Sequence, residues 1–305
     1  MNYSKINKIT ESCGIKKPVF DIDTSKLCSM GAGRKAAALI TADSAESLLR
    51  LMTALEEEKI KNMVIGGGTN MIFTEDRPDL VLIRLGQSLG KISIDNNGVI
   101  ETGASADMPV LVKKAAGSGL DLAFMAGIPG TAGGAVCGNS GSSGKWINDS
   151  IREVEYIRRT DRGFEIARCG KDDIRAGYRF LKIPGMEALV SVVLAPETAD
   201  SSELALKIRR AIAERKKTQP VGVRTSGCFF KNPENSKRTA GALIDGCGLK
   251  GFSYGGARVS PIHANFIENF KSASTEDIVV LSRIMIDKVR ERSGISLEYE
   301  VKLVE

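Results

Sequence analysis

The spacing of apolar residues along the chain predicts four helices. Apolar side chains recur every three or four positions in residues 43–59, 107–116, 203–217 and 275–291, which places them on one helical face. Asp43 and Asp107 are the expected N-caps of the first two helices. The side chains expected to face inward from the last two helices are Leu204, Ile208, Ile212, Ile278, Leu281, Met285 and Val289.

Short apolar runs between these helices predict strands at residues 63–65, 80–85, 91–94, 99–102, 151–159 and 189–194. Asn97-Gly98 is typical of a hairpin turn. Residues 297–303 alternate apolar and charged side chains, as expected of a half-buried strand. Residues 1–30 show no strong pattern and are expected to wrap the first domain.

Composition adds that this is a globular protein of two or three domains. The chain has 305 residues, of which 42% are hydrophobic and 26% are charged. Its formal net charge of +6 suits an anionic ligand and falls short of the charge expected of a nucleic-acid-binding protein. A polar linker over residues 196–202 marks an expected domain boundary.

Cysteine and histidine usage argues against a metal site. The six cysteines are scattered and His263 is the single histidine, so the spacing of a zinc site is missing. The N-terminus lacks an apolar signal segment, and no apolar run is long enough to span a bilayer. We therefore expect a reduced, cytoplasmic protein without a membrane insertion.

Two glycine-rich loops are the strongest local signals. One follows the strand at 63–65 and reads Gly66-Gly67-Gly68-Thr69-Asn70; the other runs from Ala126 through Ala135 to Asn139. The first of these loops lacks the spacing of a Rossmann or Walker motif. Such loops leave backbone N–H groups bare for a diphosphate, or they let two elements pack closely.

Together with later motifs, these loops resemble the UDP-N-acetylenolpyruvoylglucosamine reductase family, flavoenzymes that make UDP-N-acetylmuramate for peptidoglycan. Order and spacing match from near residue 60 to the C-terminus, and the length is similar to the shorter of the family's two subtypes. The matching segments are 65–70, 127–135 with Asn139, Tyr178-Arg179, Gln219-Pro220, 226–233, 240–245, 255–260, 263–266 and 297–301.

The resemblance implies an α+β fold with a two-part FAD-binding module of the PCMH/VAO type and a C-terminal α+β substrate-binding domain. Residues 1–85, rejoined by 296–305, would form the first FAD-binding subdomain. Residues 86–200 would form the second, and 203–292 would bind substrate.

The resemblance also implies non-covalent FAD, NADPH as reductant and UDP-N-acetylglucosamine enolpyruvate as substrate, with no nucleic-acid partner; a monomer is favoured. The residues expected to contact the flavin are Gly66, Gly67, Gly68, Thr69, Asn70, Met71, Gly127, Ile128, Pro129, Gly130, Thr131, Gly133, Gly134, Ala135 and Asn139. Tyr178, Lys231 and Asn232 are expected to contact the substrate.

The implied reaction transfers a hydride from flavin N5 to the enolpyruvyl double bond, after which a proton must reach the α-carbon. By resemblance, Arg179 and Glu300 stabilise the enolate-like charge, with Glu298 as the rival carboxylate, and Cys228 donates the proton. Cys228 stands where the family commonly has serine, and a thiol, with an ordinary pKa of about 8.5, is a better acid than a hydroxyl.

Two other functions fit the same residues. One is a different FAD oxidoreductase of this fold, such as an oxidase; the other is a non-catalytic UDP-sugar binder. Leu181 and Ile262 depart from the serine and lysine usual at those positions in the family. The presence of Arg179, Glu300 and Cys228 together favours the reductase.

Overall fold

The computed structural model describes residues 2–234 and 236–305 and divides them into two compact units. The first unit contains the residues up to Ile22, Ala37–Gly67 and Pro78–Ala213. The second contains Asp23–Ala36, Gly68–Arg77 and Glu214–Glu305. Both units combine helices and strands. The expected assignment of two flavin-binding subdomains and a substrate domain stays a prediction.

The helices and strands have the following bounds. The helices are α1 Tyr3–Ser12, α2 Ala45–Glu57, α3 Met108–Gly117, α4 Ala132–Cys137, α5 Ser201–Thr218, α6 Ala240–Gly246 and α7 Thr275–Ser293. The strands are β1 Val19–Asp23, β2 Lys35–Ala42, β3 Lys61–Ile65, β4 Met71–Phe73, β5 Arg77–Leu85, β6 Ile92–Ile94, β7 Ile100–Gly103, β8 Gly141–Ser142, β9 Lys145–Trp146, β10 Ile151–Thr160, β11 Gly163–Gly170, β12 Arg175–Gly177, β13 Phe180–Lys182, β14 Met186–Leu194, β15 Ser253–Tyr254, β16 Ala257–Val259, β17 Ile267–Asn269 and β18 Lys302–Val304.

One sheet of the first unit has the order β1-β2-β5-β3, with β3 and β5 parallel. Leu48, Leu51 and Leu55 of α2 are fully buried in the adjoining core, as the helical spacing predicted. The expected cap was wrong, however. Ser44, not Asp43, caps α2, because its hydroxyl accepts from Ser47 N while the Ser47 hydroxyl accepts from Ser44 N.

The second sheet of this unit has the order β11-β10-β14-β7-β6. The predicted hairpin is confirmed: β6 pairs with β7 antiparallel, and Gly98 in the turn has a φ of +74°. Asp107 caps α3 as expected, accepting from Val110 N at 3.0 Å. The sheet and α3 contribute to one apolar core.

The second unit is built around β15-β16-β17 and helices α6 and α7. The inward face predicted for α7 is confirmed, since Ile278, Leu281, Met285 and Val289 are all 0% exposed. Phe229 and Phe230 are buried in the same core. Strand β18 pairs in parallel with β4.

Three expectations from the pattern were incomplete or wrong. Residues 1–30, which show no strong pattern, contain α1 and β1. Ile212 of α5 is 37% exposed although its spacing predicts burial, and Leu204 is the one residue of this helix that is buried. Among the described residues, regular pairing at the C-terminus covers β18 rather than 297–303, with an isolated bridge from Tyr299 to Phe230 before it. Local spacing does not reveal which neighbour an element will find.

Candidate active site

The two glycine loops touch each other in the first unit. A Cβ added to Gly66 would lie 2.8 Å from the Thr131 hydroxyl, and one added to Gly67 would lie 3.0 Å from Gly130 Cα. A side chain at either glycine would therefore require the other loop to shift. Close packing of the two loops is one reason for glycine at these positions. The missing side chains also leave exposed backbone, which a ligand can approach closely.

The second loop uses many of its N–H groups internally. Among those that donate to oxygens of the same unit are Ile128 to Met125, Ala132 to Ala106, Gly133 to Ala104 and Gly134 to the Thr131 hydroxyl. The expectation of bare N–H groups is therefore wrong at these positions. The glycines let the loop fold onto backbone carbonyls, and the expected flavin contacts of the loop stay a prediction.

Gly133 offers a direct test of this loop. A Cβ there would lie 2.8 Å from Ala104 Cβ and 3.0 Å from Ala104 O, so the backbone must shift, at a cost of about 1–3 kcal/mol. We expect Gly133→Ala to purify with less flavin per protein and to melt at a lower temperature. Flavin absorbance against protein content and thermal unfolding measure both effects.

Gly138→Ala is the matched control, since the nearest atom to its added Cβ is 3.4 Å away. It should keep wild-type flavin content and melting temperature. Wild-type flavin content in Gly133→Ala would contradict a role for this close approach in shaping the flavin site.

The first glycine loop continues into the second unit, where it meets the C-terminal segment. A Cβ on Gly68 would lie 1.8 Å from Leu27 O, so only glycine fits. Asn70 Nδ2 donates to Glu300 O at 3.1 Å, and Lys302 N donates to Asn70 O at 3.1 Å. Asn70, which we expect to contact the flavin, thus lies beside the backbone of Glu300, the expected catalytic glutamate.

The segment that carries Cys228 lies between two others in the second unit. Cys228 forms a backbone bridge with Phe266, and Phe229 N donates to Asn265 O at 2.7 Å. On the other side, Glu300 N donates to Phe229 O at 2.9 Å. The structure therefore places Cys228 and Glu300, both half-buried, on neighbouring segments.

Asn265 is a residue that the sequence reasoning did not single out. It is 3% exposed, its Oδ1 accepts from Phe230 N at 3.0 Å, and its Nδ2 donates to Phe230 O at 2.8 Å. These bonds fix the backbone two residues after Cys228. The sequence did offer a signal for this role, because Asn265 lies inside the mostly apolar run from Ala264 to Ile267. An amide in such a run is expected to be buried, and a buried amide needs hydrogen-bond partners.

The polar residues expected to contact substrate lie next to the same segment. Lys231 Nζ is 3.5 Å from Glu298 Oε2, and the Glu298 side chain is 78% exposed. Asn232 Oδ1 accepts from Ala240 N at the start of α6, at 3.0 Å. Glu298 therefore faces solvent and Lys231, whereas Glu300 is half-buried, which favours Glu300 as the catalytic carboxylate.

Tyr178 and Arg179 belong to the first unit, where they form the two-residue turn between β12 and β13. Arg179 has a φ of +62°, a conformation that non-glycine residues seldom adopt. Its guanidinium carbon lies 5.6 Å from the centroid of the Tyr178 ring. The turn thus presents a permanent positive charge next to an aromatic face.

The single histidine lies close to the Cys228 segment. Burial lowers the pKa of His263, its Nδ1 accepts from Asn265 N at 3.2 Å, and its ring packs edge-on against Phe266. Within residues 2–234 and 236–305, no three His, Cys, Asp or Glu side chains group closely enough for a metal ion. In the same residues, no helix combines the length and apolarity needed to cross a membrane.

Two models of known protein families match different parts of the chain. Residues 36–163 match the model of an FAD binding domain, and residues 219–304 match the C-terminal domain of UDP-N-acetylenolpyruvoylglucosamine reductase. The predicted combination of an α+β FAD-binding module with a C-terminal domain is confirmed.

Relatives with the same name cover most of the chain. The reductase of Geotalea uraniireducens is 36% identical over 266 residues, 87% of this chain and 86% of the relative. That of Desulfosudis oleivorans is 34% identical over 297 residues, 93% and 94% of the two chains. The crystal structure of the Thermus caldophilus reductase superposes with a TM-score of 0.77 at 29% identity, over 95% of this chain and 99% of that one.

Proposed function

We infer the function from one premise: this chain belongs to the UDP-N-acetylenolpyruvoylglucosamine reductase family. We propose that it reduces UDP-N-acetylglucosamine enolpyruvate to UDP-N-acetylmuramate for peptidoglycan synthesis, with FAD as bound cofactor and NADPH as reductant. A cytoplasmic location follows from this choice of substrates. A monomer is the form that we favour.

One contact carries the proposal: the hydrogen bond from Glu300 N to Phe229 O, at 2.9 Å. It joins the segment of the proposed proton donor to that of the proposed carboxylate, although the two are separated by more than 70 positions in the sequence. A reductase needs a proton donor and a charge-stabilising group at one reacting double bond. This pairing supports that requirement for Cys228 and Glu300.

The residues present fit FAD. A Cβ atom at Gly66 or Gly133 would lie 2.8 Å from its nearest neighbour, and one at Gly67 would lie 3.0 Å away. Glycines packed this closely suit a backbone surface against a flat, phosphate-bearing cofactor. These glycines, with Gly130 and Thr131, are among the residues of the two loops that we expect to hold it. When bound, FAD supplies hydride transfer, from NADPH to the enolpyruvyl group.

Arg179 is proposed to bind the substrate carboxylate. Reduction at the β-carbon places negative charge on the α-carbon and carboxylate before protonation. The planar guanidinium keeps its charge at all relevant pH values and can donate two parallel hydrogen bonds. Arg179 therefore stabilises the charge that develops during the reaction.

Cys228 is proposed to give its thiol proton to the α-carbon. The hydride on the β-carbon and this proton on the α-carbon complete a two-electron reduction of the double bond. A thiol is a stronger acid than the serine hydroxyl common in the family. Glu300, which we prefer to the exposed Glu298, is proposed to stabilise the enolate-like charge with Arg179 and to help orient the protonating group.

The function is tested by following flavin colour without oxygen. We expect NADPH to bleach the protein, and UDP-N-acetylglucosamine enolpyruvate then to restore the oxidised spectrum in stoichiometric amount. Flavin that stays bleached with this substrate but reoxidises rapidly in air would favour an oxidase. Binding of the UDP-sugar without NADPH-dependent turnover would favour the non-catalytic binder, and either result would overturn the proposal.

A further inference from the structure

The turn that carries Arg179 needs support from its surroundings. Gly177 pairs with Phe180 at the end of the short β12–β13 ladder, leaving Tyr178 and Arg179 to reverse the chain. Arg179 has a φ of +62° without being glycine. Such a conformation persists only where neighbouring groups hold it, and it occurs often at functional sites.

An aromatic contact supports the turn from one direction. The ring of Trp146, the single tryptophan of the sequence, lies 5.8 Å from that of Tyr178 at an interplanar angle of 78°. The Arg179 guanidinium carbon lies 5.6 Å from the centroid of the same Tyr178 ring. The Tyr178 ring therefore contacts both the Trp146 ring, edge-on, and the Arg179 guanidinium.

Trp146 is itself held in place by its local backbone. It ends the small β8–β9 hairpin, whose turn residues Ser143 and Gly144 have φ angles of +55° and +79°. The backbone N–H of Trp146 donates to Asp149 Oδ2 at 2.8 Å. A ring on a fixed backbone can restrict the rotamers of a neighbouring ring.

Asn139 connects the two hairpins. Its side chain is buried, with 3% exposure, and its Nδ2 donates to Gly177 O at 2.9 Å, one residue before the turn. Its Oδ1 accepts from Asn148 N at 3.2 Å, two residues after Trp146. These bonds fix the two backbones relative to each other and thus set the distance between the rings.

We propose that Trp146 is a positioning residue for Arg179, acting through the ring of Tyr178; this inference rests on the proposed function. The arginine fork recognises a carboxylate only when its plane and direction match. Without the Trp146 ring, Arg179 keeps its positive charge, but its guanidinium is no longer held in one orientation. The loss should therefore concern the enolpyruvyl carboxylate and leave the UDP-sugar unaffected.

Trp146→Ala in the full-length FAD-loaded protein separates these effects. We expect flavin reduction by NADPH to stay within about twofold of wild type, and reoxidation by UDP-N-acetylglucosamine enolpyruvate to slow by roughly tenfold. On the oxidised protein, the Kd for that substrate should rise by a similar factor, whereas the Kd for UDP-N-acetylglucosamine, which lacks the carboxylate, should not change. Trp146→Phe should restore most of the loss.

Phe164→Ala is the matched control. It removes the ring from another arginine–aromatic pair of the same unit, in which Arg159 lies 4.7 Å from the Phe164 centroid, and should leave both half-reactions unchanged. If Trp146→Ala does not fold, Trp146→Leu keeps apolar volume without a ring and gives the same comparison.

The possible outcomes separate the positioning role of Trp146 from the proposed reductase activity. Wild-type reoxidation and binding in Trp146→Ala or Trp146→Leu would overturn the positioning role alone. Equal weakening of NADPH reduction, UDP-N-acetylglucosamine binding and reoxidation would show a general structural role and would overturn it as well. Failure of the wild-type protein to be reoxidised by the enolpyruvyl sugar would instead remove the proposed function.

Discussion

Cys228→Ala is expected to give a protein that NADPH bleaches at the wild-type rate. We expect UDP-N-acetylglucosamine enolpyruvate to reoxidise it about 10²–10⁴-fold more slowly, the usual contribution of a general acid. The reason is that flavin reduction needs no proton at the α-carbon, whereas product formation does. Anaerobic stopped-flow absorbance measures the two half-reactions separately. Cys228 lies in the segment bonded to Asn265 and Glu300, and alanine keeps that backbone.

Two companion variants make the result specific. Cys228→Ser keeps a transferable proton and should retain much of the activity. Cys247→Ala removes another half-buried thiol of the second unit, one that bonds to Lys288 O at 3.5 Å, and should behave as wild type. If Cys228→Ala is reoxidised at the wild-type rate, Cys228 has no part in proton transfer.

Arg179→Gly separates the guanidinium from the backbone that carries it. Glycine adopts a φ of +62° without the left-handed strain of about 1–2 kcal/mol. Glycine also lowers the free energy of unfolding by about 0.5–1 kcal/mol, because the unfolded chain gains conformational entropy. The two effects oppose each other, so the net change should be less than about 1.5 kcal/mol. Reoxidation by the enolpyruvyl substrate should nevertheless fall by about 10²–10³-fold, as for the loss of one oxyanion-stabilising donor.

Lys59→Gly is the matched control for that substitution. Lys59 is an exposed cationic residue just after α2, with a φ of +53°, so glycine makes the same backbone change away from the site. It should alter stability as little as Arg179→Gly and leave reoxidation unchanged. Arg179→Lys should recover charge but not the two-pronged geometry, and thus only part of the rate. Full activity in Arg179→Gly would remove the carboxylate-binding role.

The elements that could be predicted are those whose local pattern agrees with their final neighbours. Helix α7 and the cap of α3 follow from spacing and residue type, because a continuous apolar face and an Asp two residues before a Pro have few alternatives. Helix α5 shows the limit. Its spacing suggests a buried face at Ile212, but that face is partly exposed, because periodicity does not specify whether another element covers it.

The glycine loops were likewise predictable in part: their unusual backbone was, but their hydrogen-bond partners were not. Glycine density correctly indicated unusual backbone, and Gly68 and Gly133 are indeed positions where a Cβ would collide with a neighbouring residue. Density could not tell that Ala132 and Gly133 donate their N–H groups to residues 106 and 104. A hydrogen bond between distant positions depends on how the chain returns, which composition does not encode.

The sequence by itself determined the family and the kinds of group available for chemistry: two glycine loops, an arginine after a tyrosine, a thiol and a pair of alternating glutamates. Only the tertiary structure decided which of these are neighbours. In the folded chain, Glu300 N donates to Phe229 O, and the Asn265 side chain bonds to both backbone polar atoms of Phe230. The Trp146 ring contacts the Tyr178 ring. The physical reason is that residue type and spacing act over one or two turns of chain, whereas these contacts form when segments far apart in sequence are buried together.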